Sequence, residues 1–113
     1  MSSDEERLPA HVWVMAGVRR SNHDGIPAMV RHRGDAMGGL LLLKIALLDG
    51  TARAFTQQRD LDGHLGWMAV PRDEALPDAD IEAYLERALR RDPDLWLVEI
   101  EDSCGRNPFA PAS

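Results

Sequence analysis

The sequence predicts an α+β domain: a single, mostly antiparallel sheet of four to five strands covered by two helices, in the order α-β-β-β-β-α-β. Three observations predict it. Residues 40–48 are apolar at nearly every position, as a strand reads when both its faces are covered. Ile81, Tyr84, Leu85, Ala88 and Leu89 recur at i, i+3, i+4, i+7 and i+8, the spacing of one helical face. Residues 95–102 alternate, with Trp96, Val98 and Ile100 on one side and Glu99 and Glu101 on the other.

The elements follow in order. Pro9 suits a first helical turn, where its missing N–H has no partner to lose. Residues 10–18 are mostly apolar, and periodicity alone allows a helix or a buried strand over 11–18. The helix is favoured because the segment continues through Arg19, Arg20 and His23 to Gly25, a helix stop. Val14, Val18 and Met15 then share a stripe, and the cations fall in the last turn, where they complement the helix dipole. Residues 28–33 read as a short strand with Ala28, Val30 and His32 on one face and Met29, Arg31 and Arg33 on the other. Gly34-Asp35 and Gly38-Gly39 punctuate the way into the central strand, 40–48. Asp49-Gly50 predicts a two-residue hairpin into residues 51–56.

After a loop at 60–63, residues 64–70 form the third strand of the meander, with Leu65, Trp67 and Ala69 on one face, and Pro71 ends it. Pro77-Asp78 opens the second helix, with Asp78 expected to accept hydrogen bonds from the first free N–H groups. Glu86 and Arg90 make an i,i+4 pair. Arg87, Arg90 and Arg91 sit at the helix C-terminus, and Pro93 stops it. The domain is expected over 9–104, with 1–8 and 105–113 as flexible tails and Phe109 the one residue placed to pin the second.

At 113 residues the length prior is one domain, and 44% hydrophobic residues supply a core without a metal or disulfide staple. Cys104 is the only cysteine, which excludes an intramolecular disulfide. The first residues are acidic, unlike a secretory signal. The apolar run at 40–48 is far short of the roughly 20 residues of a membrane helix. A cytoplasmic protein with no membrane role is expected. The net charge is -6, with +2 over residues 1–59 and -8 over 60–113. That balance argues against a nucleic-acid partner. Of the 13 basic residues all but Lys44 are Arg, a bias that fits a GC-rich genome.

No catalytic constellation is legible, and no cofactor is called for. The four histidines, His11, His23, His32 and His64, do not pair at helical spacing, and there is no Cys-x-x-Cys, so no metal site is assigned. Asp60-x-Asp62-Gly63 resembles a fragment of a calcium loop but lacks its closing Glu, and reads as a turn. Gly34-x-x-x-Gly38-Gly39 precedes a strand, not the helix that a phosphate cradle needs. Lys44 lacks a second carboxylate on its own strand, while Glu99-x-Glu101 lacks a lysine. The candidate binding residues are Arg19, Arg20, Arg31, Arg33 and Asp35. Guanidinium groups that converge there would hold a phosphate, a carboxylate or an acidic segment.

The stretch His11-Val12-Trp13-Val14 to Arg19-Arg20, then Gly25, then Arg31-His32-Arg33-Gly34-Asp35 with Gly38-Gly39, and the ending Asp92-Pro93-Asp94-Leu95-Trp96, resembles the domain of unknown function 1491 family over about residues 7–109. The resemblance implies a small, single-domain protein of alphaproteobacteria, with no catalytic residue to carry over. The residues therefore favour a non-enzymatic interaction or adaptor module with a protein partner, which includes a homodimer. The alternative is an anion-binding domain for phosphate, nucleotide or nucleic acid that uses the clustered Arg. A metal-dependent hydrolase built on Asp35, Glu99 and Glu101 is the third option.

Overall fold

The structure, a computed structural model, describes residues 8–110. In chain order it holds helix α1 (Ala10–His23), strands β1 (Ala28–His32), β2 (Leu41–Ala46), β3 (Thr51–Arg59), β4 (Leu65–Val70) and β5 (Leu76–Pro77), helix α2 (Asp78–Arg91) and strand β6 (Trp96–Glu101). The α+β class is as predicted, and the element order matches apart from one additional short strand, β5, before α2. The sheet has six strands, ordered β1-β6-β2-β3-β4, with β5 pairing the start of β3 at Thr51 and Ala52. It is mixed: β6 runs parallel to β2, and every other pair is antiparallel. Residue patterning marks what is strand, but not which strand lies beside which.

Alternation along β2 and β6 sends side chains to both faces, and both are covered. On one face Leu41, Leu43, Ile45, Trp96, Val98 and Ile100 pack under Ala10 and Val14 of α1. On the other, Leu42, Ala52, Ala54 and Leu97 pack under Ile81, Leu85 and Ala88 of α2. Each buried large aliphatic side chain contributes about 1.5–3 kcal/mol. A doubly buried central strand therefore needs one helix on each face.

Residues 10–23 are helical, which excludes the strand alternative. The buried line of α1 is Ala10, Val14, Gly17 and Ser21, while Met15 is exposed and Val18 half-buried. Gly17 belongs to the core because the Phe109 ring occupies the place of a side chain there. The Ser21 hydroxyl donates to the Ile26 carbonyl at 2.8 Å, which closes the turn after the helix.

Four local expectations are corrected. The β2–β3 connection is a three-residue loop, because Leu47 N–H bonds Thr51 and leaves 48–50 to turn. Leu48 and Gly50 both take positive φ, at 66° and 89°. Asp78 does not cap α2: its carboxylate reaches Lys44 at 2.7 Å, and the helix opens without a side-chain cap. A bulge between Val30 and His32 breaks the strict alternation expected for β1. The domain also runs past 104. Phe109 is buried against Trp13, with ring centroids 5.6 Å apart, and Arg106 pairs with Asp102, so 105–110 is packed chain rather than a tail. Of the expected tails 1–8 and 105–113, residues 1–7 and 111–113 lie outside the described residues.

Because β6 inserts between β1 and β2, the connection 33–40 must cross the start of β6, spanning two strand spacings or about 10 Å. It crosses in contact. Asp35 N–H bonds the Asp94 carbonyl at 2.9 Å, and the Trp96 indole donates to the Asp35 carbonyl at 2.8 Å. A Cβ on Gly34 or Gly39 would run into the Asp94 backbone. The same loop receives α1: Ala10 and His11 N–H bond the carbonyls of Met37 and Ala36 at 3.1 and 2.9 Å. The Arg31-to-Gly39 and Asp92-to-Trp96 motifs are thus two sides of one crossing.

Gly34→Ala is expected to cost about 1–3 kcal/mol, because rigid backbone must move. Gly66→Ala, whose Cβ meets nothing within 4 Å, should leave Tm nearly unchanged. Thermal unfolding of the two variants checks the contrast. Phe109→Ala should cost about 3 kcal/mol or more, seen as a lower denaturant midpoint; a midpoint equal to wild type would mean the C-terminal segment adds nothing to the core.

Candidate functional site

The five expected binding residues go to different places. Arg19 and Arg20 stand exposed toward the C-terminal end of α1, and Arg20 reaches the Pro108 carbonyl at 3.5 Å. Arg31 turns to α2. Its guanidinium donates both Nη atoms to the Glu82 carboxylate at 2.7 and 2.8 Å, and to Glu99 at 3.0 Å. Arg33 lies over the Trp96 ring, 5.4 Å from its centroid, and Trp96 belongs to the cluster under α1. The Asp35 carboxylate accepts Gly38 N–H at 2.7 Å inside the crossing loop. Arg33 and Asp35 thus meet at one indole, while the β1 bulge separates Arg31 from Arg33.

A second cluster forms where the sequence showed only fragments. Lys44 sits opposite Glu99 in the parallel β2–β6 register, and Arg31 joins from β1. Lys44 is only 4% exposed, yet its ammonium lies 2.6 Å from Glu82, 2.7 Å from Asp78 and 3.8 Å from Glu99. Burial opposes its charge, but the hydrogen bonds of Asp78 and Glu82 outweigh burial and raise its pKa. Arg31 first, and then Lys44, hold the Glu82 carboxyl down at about 2. A general acid or base works best with a pKa near the operating pH, and these two groups are driven away from it. The cluster clamps β1, β6 and β2 to α2. The sequence signal for it was a lysine inside an apolar strand, since a buried charge needs counter-charges.

The Asp60 carboxylate accepts the N–H groups of Asp62 and His64, both at 2.9 Å, and so closes the β3–β4 turn with Gly63 at φ +85°. Asp60, Asp62 and His64 offer ligand atoms within 4.8 Å of one another, all exposed. Of the residues considered for a hydrolase, Asp35 lies in the crossing loop, Glu99 in the ion cluster, and Glu101 exposed at the end of β6.

Apolar side chains are exposed on the outer side of the first half of α1 and just before it. Leu8, Val12 and Met15 are 43%, 40% and 36% exposed, and the adjoining loop adds Met37 at 67%. Leu8 and Met37 border a shallow recess of about 60 Å³ floored by Trp13 and Leu65. Sequence reasoning missed this surface because it assigned Met15 to the core.

The ion cluster sets an acid limit on stability. Glu82 drops from its usual 4.5 to about 2 on folding, and Asp102, held by Arg106, from 3.8 to about 2. Depressed carboxylates stabilise fully above their unfolded pKa and lose that contribution as pH falls through the folded value. Denaturant-measured stability should therefore fall between pH 4.5 and 2. Glu82→Gln should flatten that slope and cost about 1–3 kcal/mol at neutral pH. An unchanged slope would deny the clamp.

Among the described residues, no helix is long and apolar enough to cross a membrane. No curated protein matches the chain. Its fold is similar to the 1.87 Å crystal structure of a DUF1491 family protein from Caulobacter crescentus CB15, with 42% identity and a TM-score of 0.79 over 91% of this chain and 94% of that one. An NMR structure of a DUF1491 family protein from the same organism gives 42% identity and 0.78, over 90% and 92%. A protein from A. tumefaciens is 28% identical, with a TM-score of 0.70 over 84% and 86%. A family model described as a protein of unknown function, DUF1491, matches residues 8–110, in keeping with the motifs at the strand crossing. The chain belongs to the DUF1491 family.

Proposed function

We propose that this protein is a non-enzymatic interaction module of the cytoplasm that docks a protein partner on the outer side of α1. The observation that carries this is the pair of exposed apolar side chains on α1, Val12 and Met15, with Leu8 just before the helix and Met37 in the loop at its start also exposed. Scattered apolar side chains are ordinary on a surface, but a contiguous set with a polar rim marks a contact site. Arg19 and Arg20 supply the rim at one end. This gives the arginines of the anion-binding alternative a place: they face acidic side chains of the partner rather than a free phosphate. The protein needs no cofactor for this role.

A photo-crosslinking residue at position 15, in the cell of origin, should trap a protein that the same residue at position 68, an exposed Met on β4, does not trap. Val12→Asp should abolish the product without lowering Tm. No product above the position 68 control would overturn the docking role. A panel of phosphates and nucleotides should leave Tm unmoved. A rise of several degrees that Arg19→Ala with Arg20→Ala removes would instead establish anion binding.

A further inference from the structure

We infer that this chain pairs with a second copy of itself along the outer edge of β4, antiparallel about Trp67, so that two sheets become one; the contact is separate from the docking surface on α1. The sheet ends at β4 on one side and at β1 on the other. Hydrogen bonding to β3 fixes which groups of β4 are free. Asp60 N–H bonds the His64 carbonyl at 2.9 Å, so the bonded pairs of the β3–β4 register are Gln58 with Gly66, Thr56 with Met68 and Ala54 with Val70. Leu65, Trp67 and Ala69 therefore turn both N–H and C=O away from β3, where the described residues provide no further strand. Such a row is a template for one kind of occupant, an extended backbone.

The two edges differ. At β1, Glu101 N–H bonds the Pro27 carbonyl, so the next residue, Ala28, faces outward. The Asn22 amide takes both its N–H and its C=O, at 2.8 and 3.0 Å, and the bulge after Val30 interrupts the rest. Charge, proline and bulges are the ordinary guards of an edge. β4 has no charge and no proline between Leu65 and Val70, and its register with β3 is unbroken.

The side chains select a copy of the same strand. A two-fold axis at Trp67 makes bonded pairs of Leu65 with Ala69 of the other copy and of Trp67 with its equivalent, so every outward group is used. Gly66 then lies opposite Met68. Each long side chain meets a short one, Leu65 across from Ala69 on the α1 side and Met68 across from Gly66 on the α2 side. Met68 is 45% exposed in the single chain, and a Cβ on Gly66 would meet nothing within 4 Å, so the space for that contact is open. Trp67, half-buried, gains an aromatic neighbour. Centring the axis on Met68 instead would oppose Met68 to itself and Leu65 to Pro71, which has no N–H. The strand is only about 20 Å long at 3.4 Å per residue. The contact is at the small end of specific interfaces, and a concentration-dependent equilibrium is expected.

Sedimentation of the purified full chain from about 10 µM to about 1 mM tests this, with the mass expected to climb from 12.6 kDa toward twice that value. Amide hydrogen exchange reads the register. In dilute protein Gly66, Met68 and Val70 should be protected while Leu65, Trp67 and Ala69 exchange freely, and in concentrated protein the second set should slow about fivefold or more. Ala69→Pro removes only an outward N–H, so it should weaken association roughly tenfold or more while the Tm of the dilute chain moves little. Met68→Lys, which puts a charge on the edge, should do the same. In a Cys104→Ser background, a mixture of Gly66→Cys chains with Met68→Cys chains should form a mixed disulfide dimer under mild oxidation, in a yield that neither reaches alone. A photo-crosslinker at position 68 should capture only a second copy of this chain, so it remains the control for a different protein trapped at position 15. A mass that stays at the monomer value, outward amides that exchange alike at both concentrations, a dimer indifferent to both edge variants, or a mixture without the mixed disulfide would overturn the inference and leave the docking role of α1 to its own test.

Discussion

The placement of β6 between β1 and β2 is the constraint on which the rest of the molecule depends. It makes sequence neighbours into next-nearest strands, so the link between them must pass over the incoming strand. Backbone then meets backbone, and Gly34 and Gly39 are there because a Cβ at either would strike Asp94. The crossing loop in turn presents two carbonyls to the start of α1, which fixes where that helix begins on the sheet. The residues that mark the family are in large part the residues of this crossing. Packing accounts for them in this chain before any ligand is invoked.

Lys44 complements the crossing from the other face. An ammonium in the α2–sheet interface is tolerated because Asp78 and Glu82 on α2 and Glu99 on β6 surround it, with Arg31 balancing the excess carboxylate. Such a cluster adds little net stability over an apolar substitute, but it penalises misalignment heavily. Shifting β6 along β2 by one residue would leave Lys44 without Glu99 and turn Ile100 toward a charged pocket. The cluster is best understood as a register lock for the one parallel pair in the sheet. It also engages Arg31 and Glu99, two of the groups that the sequence offered for binding or chemistry.

What stays uncommitted is on the surface. Two of the expected arginines, Arg31 and Arg33, are engaged with a carboxylate pair and an indole, whereas Arg19 and Arg20 remain exposed beside an apolar line. The buried side of α1 holds Val14 and Gly17 against the sheet and Phe109, and the other side carries Val12 and Met15 exposed.

The sequence by itself determined most of the elements and the faces of β2, α2 and β6. The unbroken apolar run of β2, the helical spacing of Ile81, Leu85 and Ala88, and the Glu86–Arg90 pair were all legible, because each rests on neighbours within a few residues. Strand order, the β1 bulge and the meeting of Lys44 with Glu99 were not legible. Those contacts join residues 50 or more positions apart, and no local spacing encodes which of several apolar strands lies adjacent. Asp78 shows the difference in one residue. Its position before a helix predicts a cap, but a buried ammonium is a stronger partner for a carboxylate than a solvated N–H, and only the folded chain brings that ammonium within reach. Met15 shows it in another. A stripe on α1 reads as core from spacing alone, and tertiary structure chose the line through Gly17, because the Phe109 ring fills the space that a larger side chain would have taken.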